Sequence, residues 1–126
     1  NALYADKPNE VTRLSLLREK FAENLAEAFG LKAQKDELFL MGLFSVLEVI
    51  LEKPMVEALK VVHVAGEISN ALIYHIGVLA PVYDFMLQYE TANWAEVSRL
   101  MLLKNIDMDT VYEAYTSALK WYRTVR

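Results

Sequence analysis

His63 and His75 are the only imidazoles in this chain, and they bound the metal chemistry it can do. A metal phosphohydrolase built on a His-Asp dipeptide needs that dipeptide and further His and Asp residues to hold its cations. Here Val64 follows His63 and Ile76 follows His75, so no metal centre and no catalytic residue is expected. Both histidines suit helix ends, where a cation favours the C-terminal dipole. The absence of cysteine removes thiolate ligands, disulfides and a Cys nucleophile. Asp107 and Asp109 are close enough in sequence for paired-carboxylate chemistry, yet both stand where a helix start favours acids. Glu48 interrupts an otherwise apolar run, and burial there would raise its pKa. Ser45 and Glu52 share its helical arc, which favours a solvated seam with Glu48 facing a partner.

Glycines 30, 42, 66 and 77 are isolated, so no phosphate-cradling loop is present and no cofactor is expected. Gly42 lies mid-helix, where it costs stability relative to Ala. The expected compensation is the close approach of a second helix. The aromatic set Tyr83, Phe85, Tyr89, Trp94, Tyr112, Tyr115, Trp121 and Tyr122 could form a binding surface, but most of these lie on helical stripes and read as core. Trp94 and Trp121 fall at the margins, and with Glu48 they are the residues expected to face a partner.

The elements that must position these residues are all helical. The stretch from Leu38 to Leu51 is apolar except for Gly42, Ser45 and Glu48. It predicts a central helix over about 35–52, surrounded by other helices and wet only along a thin stripe through Glu37, Met41, Ser45, Glu48 and Glu52. Residues 1–8 read as a flexible lead-in, with Asn1-Ala2 as an expression scar, and 9–126 as a single domain. Asn9 is expected to cap a helix to about Phe29. Leu14, Leu17, Phe21, Leu25 and Ala28 form its inner face, and Glu19, Glu23 and Glu27 its outer one. Pro54 opens a helix to about 63, and another runs from Gly66 or Glu67 to His75. Pro81 opens the next, Asn93 caps one more, and Asp107 or Asp109 caps the last. Val111, Tyr115, Ala118, Tyr122 and Val125 mark the buried stripe of that final helix. The fold class predicted is all-α, a compact bundle of about six to seven helices around the central one.

Composition agrees. At 126 residues with 55% hydrophobic content, a single domain should bury roughly two-thirds of its unfolded surface. The net charge of −4 and the scatter of Lys and Arg leave no phosphate-tracking patch, so nucleic acid is not an expected partner. The apolar run is shorter than the ~20 residues of a membrane span. No membrane association is expected, and the setting reads as cytoplasmic.

Several short motifs in order resemble one family. Leu38-Phe39, Gly42-Leu43-Phe44-Ser45 and Leu47 are followed by Pro54-Met55, Glu67-Ile68 and Ala71-Leu72. Then come Tyr89-Glu90 with Asn93-Trp94, and finally Ala118 and Trp121. Together, from about Arg13 to Trp121, they resemble the C-terminal helical part of the HDOD domain of bacterial EAL–HDOD signalling proteins. Glu48 stands where that pattern often has Asp, and Glu52-Lys53 replaces a usual Gly before Pro54. The resemblance implies a non-enzymatic regulatory or protein-interaction module in cyclic-di-GMP-linked signal transduction. Any phosphodiesterase activity would reside in an upstream EAL domain. The implied partners are the chain's own upstream EAL/HDOD portion, another signalling protein or a second copy in a homo-oligomer. The alternative reading is a small-molecule-binding all-α effector domain of a transcription regulator, with a pocket ringed by aromatics.

Overall fold

A computed structural model describes the backbone of residues 2–125 and the side chains of residues 10–125. Every regular element among the described residues is helical, and the elements pack around one apolar core, as an all-α bundle. Asn1, the first residue of the expected scar, lies outside the described residues.

Helix α1 spans Ala2–Leu25, starting earlier than the expected cap at Asn9. Its backbone runs through Pro8, although a proline inside a helix forgoes a hydrogen bond. Past Leu25 the chain tightens into turns, with the Leu31 amide donating to the Ala26 carbonyl at 2.7 Å and Gly30 at φ 71°. Phe21, Ala22 and Leu25 are almost fully buried. Glu19 is also buried, at 4% exposure, which corrects its expected place on the outer face. Its position is set by α2, which packs along the same side of α1.

The expected continuous helix over 35–52 is two helices, α2 (Lys35–Phe44) and α3 (Leu47–Leu51). The break centres on the Ser45 hydroxyl. The Ser45 hydroxyl donates to the Gly42 carbonyl at 2.7 Å, and the Arg18 guanidinium donates to that hydroxyl at 3.1 Å. Ser back-bonding of this kind competes with the helical ladder. Val46 then leaves helical geometry, at φ −103° and ψ 3°. α2 is not a buried axis either: it buries one face, through Leu38, Met41 and Gly42, and leaves Leu40 39% exposed. α3 turns outward, with Val49 59% and Ile50 54% exposed. The wet stripe is corrected as well: Met41 and Ser45 are buried, and Glu37, Glu48 and Glu52 alone meet solvent.

Gly42 performs the close approach expected of it. A Cβ added there would lie 2.5 Å from the Arg18 carbonyl oxygen and 2.5 Å from the Glu19 Cα. Helices α1 and α2 therefore touch backbone to backbone at this point.

α4 (Met55–Val61) follows Pro54 and buries Met55, Ala58 and Leu59. α5 (Gly66–Ser69) runs into a π-turn, Asn70–Tyr74, closed by His75 in the left-handed region at φ 56°. α6 (Ala80–Glu90) has Pro81 in its first turn and carries Val82, Phe85 and Met86 into the core. α7 (Trp94–Lys104) is capped by Asn93, whose side chain accepts from the Glu96 amide. α8 (Met108–Val125) is capped by Asp107, which accepts from the Thr110 amide at 2.8 Å. Val111, Ala114 and Ala118 are its buried stripe, while Val125 is exposed. α8 closes over α1, where the Asn24 amide donates to the Ala114 carbonyl at 2.9 Å.

Candidate functional site

The three residues expected to face a partner sit on separate parts of the surface. Trp94 opens α7 and is 53% exposed, with its ring edge-on to Tyr89 at 5.4 Å. Tyr89 in turn meets Phe21 and Tyr115 at 5.4 and 5.2 Å, so Trp94 is the outer end of an aromatic chain rooted in the core. Trp121 is half-buried against Phe39 of α2, and the Lys20 ammonium lies 5.5 Å over its ring. Lys20 also pairs with Glu23 at 2.6 Å. Glu48 is exposed in the first turn of α3. Among the described residues, no hydrogen bond, ion pair or ring contact joins any two of the three.

Glu48 does lie in the field of a polar junction that the sequence did not reveal. Arg18, mostly buried on α1, makes a bidentate pair with Glu90 of α6 at 2.9 and 2.8 Å and reaches Ser45 at the α2–α3 break. Burial works against its charge, but the hydrogen bonds it donates to Glu90 and that carboxylate's charge outweigh the cost and raise its pKa. Burial pushes the Tyr83 phenol up; Arg18 opposes this, and Glu48 adds to it. Tyr83 also stacks on His75, whose Nδ1 meets an Asp84 carboxylate oxygen at 2.5 Å. One guanidinium thus ties α1, α2 and α6 together. In sequence it was an ordinary arginine on a helix, because its partners lie 27 and 72 residues away.

Glu19 is the second buried charge. Burial foremost, then the neighbouring Glu23, lifts its carboxyl to about 7, with Lys20 opposing. Asp107 acts as a helix cap: bonds from the Thr110 backbone and hydroxyl hold its carboxyl below the usual range. Among the described residues, no three His, Asp or Glu side chains gather closely enough to hold a metal ion. No described helix is long and apolar enough to cross a membrane.

The clefts are open and shallow. A cavity of about 390 Å³ lies between α1 and α8, lined by Asn24, Glu27, Glu113 and Ser117 among others. Another, of about 290 Å³, lies between α4 and the π-turn, lined by Val56, Lys60, Val64, Ile73 and Tyr74 among others. What stands out instead is apolar surface. Beyond α3, Val61 of α4, Tyr74, Ile76, Val78, Leu102, Leu103 and Tyr112 are each more than half or about half exposed. Large exposed apolar areas mark interaction surfaces more often than they mark chemistry. Ile76 and Val78 lie in the loop before α6, and Leu102, Leu103 and Tyr112 lie on the outer faces of α7 and α8.

The chain is similar to part of a cyclic di-GMP phosphodiesterase. That relative, CdgJ of Vibrio cholerae, is 29% identical over 119 residues, which are 94% of this chain and 28% of the relative. An uncharacterized protein of Bacillus subtilis, YuxH, is 27% identical over 113 residues, 90% of this chain and 27% of that protein. The chain therefore spans little more than a quarter of the curated relatives it matches. No family model matches, and no solved structure matches.

Proposed function

We propose that this domain is a non-enzymatic regulatory module of a cyclic-di-GMP-linked signalling protein of the EAL–HDOD type, acting in the cytoplasm through contacts with protein. The observation that carries the reading is the similarity to CdgJ along 94% of the chain. Two structural features support an interaction role. Apolar side chains stand exposed on several helices, and Ser15, Arg18 and Ser45, which the fold covers, join helices. In this reading the module's partner is the remainder of its own signalling protein. Trp94, Trp121 and Glu48 are the residues assigned to face it.

The test has two arms. The chain alone is incubated with cyclic di-GMP and the products are followed by chromatography; none is expected, and hydrolysis would overturn the non-enzymatic assignment. The chain is then titrated by calorimetry into the separately purified remainder of its own protein, with phosphodiesterase turnover recorded at each point. Binding accompanied by a change in turnover is expected. If neither heat nor a change in turnover is seen at high concentration, the regulatory reading fails.

A further inference from the structure

The exposed side of α4 has a charge pattern that is complementary to itself. Met55, Ala58 and Leu59 point into the core, which leaves Val56, Glu57, Lys60 and Val61 on the outside. Glu57 and Lys60 carry opposite charges one helical turn apart, and neither takes part in an ion pair among the described residues. When two copies of such a helix cross antiparallel, position 57 of one meets position 60 of the other, and the reverse. Two ion pairs then form across the crossing, with the valines beside them. Parallel alignment would set like charges together, which is unfavourable.

The surroundings provide the apolar area that two ion pairs lack, since exposed pairs alone contribute little. Tyr74, 62% exposed, shares with Val56 and Lys60 the cleft between α4 and the π-turn. α3 packs beside α4 and presents Val49 and Ile50 to solvent. A stable interface takes roughly 800 Å² from each partner, more than a seven-residue helix offers, so these neighbours are needed.

We infer that the exposed face of α4, extended by α3 and Tyr74, is a self-association surface on which a second copy of this chain docks antiparallel. The inference stands on the geometry of α4 and these neighbours and does not rest on the signalling role. A monomeric chain would overturn it and leave that role intact.

Sedimentation equilibrium on the intact chain provides the test, with circular dichroism to confirm that each variant remains helical. The wild type should rise from 14.4 kDa toward twice that mass as concentration increases. Lys60→Glu should weaken association at least about tenfold, because it sets acid against acid. The double variant Glu57→Lys with Lys60→Glu restores opposite charges and should recover association to within about threefold of wild type. A wild type that stays monomeric at several hundred micromolar overturns the inference, as it would if the surface seats another stretch of polypeptide. A double variant no better than the single one overturns the antiparallel arrangement.

Discussion

Replacing Glu19 with glutamine should stabilise the protein in mildly basic solution and do little in acid. Glu19 is 4% exposed, and its folded pKa is about 7 against an ordinary 4.5. For an acid whose folded pKa is raised, the native state holds its proton more tightly than the unfolded state does. The native state is therefore not penalised below pH 4.5, and the penalty accumulates as pH rises through 7. Between 4.5 and about 7, at roughly 1.36 kcal/mol per tenfold change in proton affinity, the penalty is capped at about 3 kcal/mol. Glutamine keeps the shape without the charge. Unfolding entropy of about 2.1 cal/mol/K per residue converts the cap into a rise in Tm on the order of 10 °C at pH 8. At pH 4.5 the two proteins should melt within a degree or two of each other. Scanning calorimetry of both at the two pH values is sufficient. A difference of the same size at both pH values would refute the reasoning, as would a variant that is less stable at pH 8.

Two further substitutions probe the α1–α2–α6 junction. Gly42→Ala improves helix propensity by under about 1 kcal/mol, yet its methyl would lie 2.5 Å from the backbone of α1. A net loss of about 1–3 kcal/mol is expected from urea titration; a neutral result would mean that α1 and α2 are not in backbone contact. Arg18→Met leaves Glu90 and Ser45 without their donor and should cost about 2 kcal/mol. The double variant Arg18→Met with Glu90→Leu should recover part of that loss, and additive losses in urea midpoints would refute the coupling.

Four helix starts were legible because the residues that open them act locally, while those of α1 and α3 were not. Pro54, Pro81, Asn93 and Asp107 each begin a helix where expected, and Gly30 lies in the turns that end α1's excursion. The contact role of Gly42 was legible too, since a mid-helix glycine has few other uses. The break at Ser45 was not. It depends on a hydrogen bond from Arg18, 27 residues away, and a helical wheel extends any pattern straight through it. Once the break is missed, α3 is assigned to the core, although Val49 and Ile50 stand in solvent. Glu19 failed in the opposite direction, because a carboxylate on a helix reads as outer surface unless its neighbour's backbone is known. Of the partner-facing candidates, Trp94 and Glu48 are exposed, and Trp121 is half covered by Phe39 and Lys20. The Arg18 junction left no local trace at all.

The closure of α8 over α1 has a consequence for how the molecule is made. The Asn24 to Ala114 bond and the Phe21 to Tyr115 ring contact join residues about 90 positions apart. A ribosome adding about 5–20 residues per second needs roughly 5–20 s to make that interval. α2 emerges soon after α1 and covers one of its sides. The side bearing Phe21 is met first by Tyr89 of α6 and only later by Tyr115 of α8. For those seconds the nascent chain leaves part of this buried ring uncovered, which is when chaperones have most reason to hold it.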